Sequence, residues 1–352
     1  MNIDHVHFYV EDAAVWRDWF IRVLNFQPWT PDSHELLQDD QHCAHTQVVG
    51  VQSGEIRCKL SSAITDQSPV FEYLRLHPPG VVDVAFCVAD LSAAIATAQQ
   101  AGAKVLFQSS QMAQIAGWGV LRHTLLPDPF QDDFDGQPVA SRLLQAIDHV
   151  VLNVEVGQLE GAIAFYEQTF GFQRQQAFQI RTDRSALCSQ VLVHPQSGVK
   201  LPINQPGSSQ SQIQEFLDHN RGAGVQHIAL QTPNIVRAIA QLRQQGLSFL
   251  KVPATYYEQL RQRSGFQLLE GEWEAIARQQ VLVDWPVDQA EAMLLQAFTQ
   301  PIFEQPTFFF ELIERRQYWQ NNQYQSAQGF GEGNFQALFE AIEREQMKRG
   351  AI

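Results

Sequence analysis

"IDHVVLNVE", residues 147–155, has a counterpart in "IDHVHFYVE", residues 3–11, in which Ile, Asp, His, Val, Val and Glu agree in register. The two histidines, His5 and His149, are 149 − 5 = 144 positions apart. The same offset aligns "GVVDVAFCVADLSAAI" from Gly80 with "GVQHIALQTPNIVRAI" from Gly224, so the chain is an internal repeat. Within the halves, His5 to Asp83 and His149 to His227 both span 78 positions, so each half is itself doubled. Every copy opens with a short alternating strand and runs into a helical stretch, such as "QLEGAIAFYEQTF" from Gln158 or "NIVRAIAQLRQQG" from Asn234. Further strands follow, among them "SQVLVH" from Ser189 and "VKLPIN" from Val199.

The unit is therefore β-α-β-β-β, and two units can curl their sheets into a cup whose first strands point side chains inward. The expected class is α+β: two modules, each a pair of βαβββ units forming an open, cupped barrel. Residues 1–142 form the first module and 143–352 the second. The second also carries an insertion, "YYEQLRQRSGFQLLEGEWEAIARQQ", and ends in a glycine-rich loop and amphipathic helix, "GFGEGNFQALFEAIEREQ".

Composition narrows the function. A chain of 352 residues, 45% hydrophobic, can bury two sizeable cores. With 38 acidic against 24 basic side chains and a formal charge of −14, its surface repels nucleic-acid phosphates and anionic lipid headgroups. Cys43, Cys58, Cys87 and Cys188 form no CxxC pair, which argues against thiolate zinc or a disulfide framework and fits a reducing cytoplasm. No basic start with an apolar stretch precedes the first strand, and no apolar run approaches membrane length.

One strand breaks the pattern. In "PTFFFELIERR", residues 306–316, Phe308, Phe310 and Leu312 alternate with Phe309, Glu311 and Ile313, so both faces read as buried. A lone buried carboxylate costs several kcal/mol unless it is protonated, paired with a cation or bound to a metal. His149 and His227 hold equivalent repeat positions and should enter one cup from related strands. Together with Glu311 they make the two-histidine, one-carboxylate set that holds ferrous iron and leaves positions open for a chelating substrate and dioxygen. A single buried histidine reads more readily as structural; the matched pair, with the carboxylate, reads as a ligand set. In the first cup the corresponding positions are His5 and Asp83, with no acidic residue on an apolar final strand, so that module reads as metal-free. His7, His34, His42, His45, His123, His194 and His219 lack the repeat symmetry and read as structural or surface residues. The glycines of "GFGEGNF" lack the strand context of a nucleotide fingerprint and suit a hinge for a helix closing the cup.

The stretches "IDHVVLNV", "LPINQP", "SQIQEFLDHNRGAGVQHIALQT", "TYYEQL", "LLQAFTQP", "PTFFFELIERR" and "GFGEGNFQALFEAIE", in that order, resemble the 4-hydroxyphenylpyruvate dioxygenases of the vicinal oxygen chelate superfamily. The resemblance implies one ferrous ion per chain, held by His149, His227 and Glu311. It implies conversion of 4-hydroxyphenylpyruvate and dioxygen to homogentisate and carbon dioxide, in tyrosine breakdown or prenylquinone supply, by homodimers or homotetramers. Ser189, Asn204, Gln212 and Gln226 match residues around the phenol end of the substrate. Gln296, Phe298 and Phe309 match the pocket wall, and Phe330, Asn334, Phe335 and Leu338 the closing loop and helix, with Phe298 and Phe335 flanking the ring. Gln226, Gln296 and Asn204 are the expected catalytic polar residues. Gln205 and Glu332 depart from the usual family pattern; neither is an expected ligand. The alternatives are a 4-hydroxymandelate synthase, against which Asn204 speaks, an extradiol catechol dioxygenase, and a non-catalytic binding protein of the same superfamily.

Overall fold

The computed structural model describes residues 1–30, 44–127, 142–182 and 185–350. Two curled eight-stranded sheets carry the fold. Along the first run β2 (Gln27–Trp29), β3 (Thr46–Ser53), β4 (Ile56–Ala63), β1 (Asn2–Tyr9), β5 (Gly80–Val88), β8 (Arg122–Pro127), β7 (Ala113–Ala116) and β6 (Val105–Gln108). The second repeats this order as β10 (Gln173–Arg181), β11 (Ala186–Val193), β12 (Lys200–Pro206), β9 (Ile147–Asn153), β13 (Gly224–Gln231), β16 (Phe309–Arg315), β15 (Leu294–Phe298) and β14 (Leu282–Asp284). A hairpin, β17 (Gln317–Gln320) with β18 (Gln323–Ser326), stands apart from both.

At the middle of each sheet the two repeat units meet antiparallel, β1 on β5 and β9 on β13, and each central strand also pairs in parallel with the last strand of its unit. Both central pairs carry a register shift at the same place, around Val82 in the first and Gln226 in the second. Such a bulge re-aims side chains, and here it lets the neighbouring Gln226 and His227 both reach into the cup region.

Helices cover the sheets, and their ends follow from local chemistry. In α1 (Ala13–Leu24) the Asp12 side chain accepts from the Ala14 and Val15 amides. Asp90 caps α3 (Leu91–Gln100), which follows α2 (Pro69–Leu76), and at the repeat-equivalent position Asn234 caps α6 (Ile235–Gln244). Each such cap contributes about 1 kcal/mol. The second module adds α4 (Leu159–Phe170), α5 (Gln212–Asn220), α7 (Ala254–Gln262) and α8 (Glu270–Gln279), and closes with α9 (Glu332–Arg349). No helix among the described residues is long and apolar enough to cross a membrane.

The outward faces of the two cups share one core, and this explains the doubly apolar reading of β16. Phe308, Phe310 and Leu312 belong to that core, with Phe308 edge-on to Phe8 at 5.2 Å and Phe310 edge-on to Phe20 at 6.0 Å. Phe309 and Ile313 point the other way, into separate clusters of the second cup. The contact continues at His123, whose Nδ1 lies 3.0 Å from the Val84 carbonyl and whose Nε2 lies 3.0 Å from the Tyr166 hydroxyl on α4. A carbonyl only accepts, so Nδ1 carries the proton and Nε2 accepts from tyrosine. His123 is fully buried, His7 is half-buried with its Nε2 2.7 Å from the Ser61 hydroxyl, His45 bonds Thr65, and His34, His42 and Cys43 lie outside the described residues.

Candidate metal centre

Strand periodicity aims residues 149, 151 and 153 of β9 at one face, and the register between strands does the rest. His149 sits opposite Ala229 on β13; Ala229 sits opposite Glu311 on β16, and His227 opposite Phe309. The three side chains converge: His149 Nε2 is 3.3 Å and His227 Nε2 3.5 Å from Glu311 Oε2. One ligand atom from each lies within 4.8 Å of the others, and all three residues are buried. Among the described residues this is the one cluster of three or more such side chains that could hold a metal ion.

The ring nitrogens facing away from Glu311 are engaged. His149 Nδ1 lies 2.9 Å from Asp148 Oδ1, and His227 Nδ1 lies 3.3 Å from Gln226 Oε1. These oxygens accept, so each ring carries its proton on Nδ1 and offers the Nε2 lone pair to the shared centre. Asp148 is in turn gripped by Arg315 through bonds of 2.6 and 2.8 Å, with Lys200 at 3.6 Å. Burial alone would raise its pKa, but Arg315 and His149 hold the Asp148 carboxyl well below the usual range. Arg315 also donates to the Ala327 and Gly329 carbonyls and so fixes the start of the glycine-rich segment.

Glu311 follows the same logic. Burial pushes its pKa up, yet in the absence of a metal the charge and N–H donation of His149 and His227 in their protonated form outweigh burial and bring it down to about 2. Its other oxygen, Oε1, accepts from Gln296 Nε2 at 2.8 Å. Gln296 Oε1 accepts from Asn334 Nδ2 at 2.8 Å, and Asn334 Oδ1 accepts from the Tyr256 hydroxyl at 3.2 Å. A hydrogen-bonded chain therefore runs from the carboxylate to the first turn of α9 and on to the insertion. Gly331 is required here: its φ is +67°, and a Cβ would run into Gln296 Oε1. An ionised carboxylate facing two imidazole lone pairs, each held by an outer partner, is a donor set suited to a divalent transition metal.

The expected site residues fall in several places around the triad. A small pocket at the triad is lined by Ser189, Gln296, Phe330 and Phe335 together with His149, His227 and Glu311. Gln212, Gln226 and Phe309 line a neighbouring cavity under the end of α9. Phe298 and Leu338 pack with Phe309 in an apolar cluster, and Phe309 stacks on His227 at 4.7 Å. Phe335 stacks on Phe178 at 5.9 Å, in a different cluster from Phe298. Asn204 is opposite Ser189 on the adjacent strand, and the fully buried Asn334 ties α9 down over the cup. Sequence reasoning missed Asp148, Arg315 and Tyr256. The repeated Asp4 and Asp148 before each histidine were the available signal for the first; nothing in the chain marks the other two.

The first cup has the same frame with different side chains. Asp83 pairs with Arg122 as His227 pairs with Phe309, so two residues on, Thr124 holds the place of Glu311. Asp83 accepts from the Thr124 amide at 2.9 Å, the Thr124 hydroxyl at 2.5 Å and Gln114 Nε2 at 3.1 Å.

The sequence profile of the Glyoxalase/Bleomycin resistance protein/Dioxygenase superfamily matches residues 146–267, and a second profile of that superfamily matches residues 4–121. The chain is 35% identical to 4-hydroxyphenylpyruvate dioxygenase of Yarrowia lipolytica over 99% of its own length and 93% of the relative's. It is 33% identical, with the same coverage of both, to that of Caenorhabditis elegans. Its fold is similar to that of a triple mutant of 4-hydroxymandelate synthase from Streptomyces coelicolor, with a TM-score of 0.80 and 27% identity over 98% of this chain and 99% of the other. Identity of this size over nearly the whole length means that the chain belongs to the 4-hydroxyphenylpyruvate dioxygenase family and is a dioxygenase of the vicinal oxygen chelate superfamily.

Proposed function

We propose that the enzyme uses one ferrous ion, held by His149, His227 and Glu311, to convert 4-hydroxyphenylpyruvate and dioxygen to homogentisate and carbon dioxide. The observation that carries this reading is the convergence of both Nε2 atoms on one buried carboxylate oxygen, in a chain whose relatives bear that name. The keto acid loses its carboxyl carbon as carbon dioxide; one oxygen atom enters the new carboxylate and the other the ring, so atoms balance without a further reductant. Bound iron supplies a Lewis-acidic, redox-active centre for the 2-oxo acid and dioxygen.

The chain supplies binding, orientation and dryness. Gln296 holds the Glu311 carboxylate through Oε1, so that Oε2 stays turned toward the imidazoles. Ser189, Asn204, Gln226 and Gln212 orient the phenol end, while Phe298, Phe309, Phe330 and Phe335 wall the ring. Asn334 and Leu338, both buried, keep α9 seated and water out. The first module, residues 1–142, is proposed to carry no metal, since its acid is already satisfied by Thr124 and Gln114. A homo-oligomer is the proposed assembly, by family analogy.

A second reading, 4-hydroxymandelate synthase, is favoured by the structural likeness to that enzyme. It uses the same substrate but oxygenates the benzylic carbon. Both products have the same elemental composition, so they must be separated by chromatography against standards and not by mass alone. Anaerobic reconstitution with iron(II), then keto acid and oxygen, is expected to yield homogentisate; 4-hydroxymandelate in its place would overturn the assignment.

A further inference from the structure

A row of side chains crosses the second cup beside the triad. Ser189, Asn204 and Asn153 are direct cross-strand neighbours on β11, β12 and β9, and the row continues to Phe178 on one side and Gly224 on the other. Cross-strand neighbours share a face. Ser189 and Phe178 line the cavity at the triad, as do His149 and Val151, which precede Asn153 at alternate positions of β9. The whole row therefore faces the cup.

Asn153 and Asn204 are both fully buried. Asn204 Nδ2 donates to Asn153 Oδ1 at 3.1 Å, which leaves Asn153 Nδ2 and Asn204 Oδ1 without a partner. Turning the two amides around changes which residue supplies which atom but not the result: one bond between two carboxamides leaves one whole amino group and one C=O without a partner. Buried polar atoms are normally bonded. The group that satisfies both at once is a neutral hydroxyl, which donates one proton and accepts on its oxygen. A carboxylate would face the carbonyl and an ammonium the N–H, each unfavourably. In the first cup the position of Asn153 is held by Tyr9 and that of Asn204 by Ser61, and the Tyr9 hydroxyl is bonded by Arg122 at 2.7 Å. There the fold carries a phenol of its own.

We propose that Asn153, with Asn204, reads the ring hydroxyl of the substrate, Asn153 completing a donor–acceptor pair that Asn204 cannot offer alone. This rests on the reading of the substrate as 4-hydroxyphenylpyruvate. The test is anaerobic binding of 4-hydroxyphenylpyruvate and of phenylpyruvate, which lacks the hydroxyl, to the iron-loaded wild type, Asn153→Leu and Asn153→Ser, with products identified after oxygen is admitted. The wild type is expected to prefer the hydroxylated acid by about a hundredfold, roughly tenfold for each hydrogen bond. Asn153→Leu is expected to bring that preference below about tenfold while phenylpyruvate affinity stays within about twofold. Asn153→Ser, which keeps a donor and an acceptor, should fall between them. Equal weakening of both ligands would mean a structural role only and would overturn the proposal, as would an unchanged ratio. Should Asn153→Leu fail to fold, Asn153→Ser and the wild-type ratio decide, and a wild-type ratio near one overturns it. A wild type that shows the preference yet releases neither homogentisate nor hydroxymandelate refutes the functional reading and leaves the hydroxyl site standing; turnover with an unchanged ratio does the reverse.

Discussion

The two cups are one fold written twice, with identical strand order and the same central bulge. Their interiors are different chemistry. Where the second cup has His149, His227 and Glu311, the first has His5, Asp83 and Thr124, and it spends its acid on internal hydrogen bonds. Where the second has the open pair Asn153 and Asn204, the first has Tyr9 with Arg122. Only the Asp–His pair before each site survives in both, at 2.6 Å for Asp4 and His5 and 2.9 Å for Asp148 and His149. The frame therefore does not make the site: a handful of inward side chains do.

The contrast can be broken first at the histidines. Replacing His227 with Ala is expected to abolish iron binding and lower turnover by about a thousandfold or more, because several kcal/mol of metal stabilisation is lost. His5→Ala should leave turnover within about tenfold, the scale of a modest packing defect. Parallel kinetics and metal analysis of the two variants check this; equal losses would mean the first cup is catalytic too.

A smaller effect is expected one bond further out. Asp148→Asn should weaken iron binding by about 10–100-fold by loosening the His149 ring. Asp4→Asn, its repeat counterpart, should not change iron affinity. Competition titration with a chelator separates the two.

Stability sharpens the comparison from the other side. Asp83→Ala strands the Thr124 amide and Gln114 and should cost about 1–3 kcal/mol in urea unfolding without altering iron content.

The smallest effect is in pH. Burial holds His7 and His123 below the ordinary 6.5, so the folded state keeps them neutral while the unfolded chain protonates. Their stabilisation is thus present above 6.5 and is lost as pH falls toward the lowered values. Unfolding measured at about pH 7.5 and about pH 5.5 should show a shallower acid loss in His123→Gln than in wild type; an unchanged slope would exclude His123 as a contributor.

Much of this was legible in the chain. The 144-residue offset found both modules, and the 78-residue spacing found the matched histidines. Glu311 stood out because a carboxylate interrupted a doubly apolar strand. The face carrying Phe308 and Phe310 could be read as buried, but not that Phe8 and Phe20 bury it, since that contact joins residues some 300 positions apart. Thr124 was hidden because its offset from Glu311 is 311 − 124 = 187, different from the repeat, and only the strand register equates them. Arg315 carried no mark in the chain; its side chain is buried against Asp148. Asn153 was hidden because its repeat counterpart is Tyr9 and its partner Asn204 is 51 positions on.

The central claim is that the two imidazoles and Glu311 hold one ferrous ion in the second cup. Anaerobic iron(II) titration of wild type and Glu311→Ala, read by metal stoichiometry and ligand-field absorption, tests it most directly. The expected result is one ion per wild-type chain and none retained at the same free iron by the variant. A Glu311→Ala chain that still bound one ion with an unaltered spectrum would contradict it.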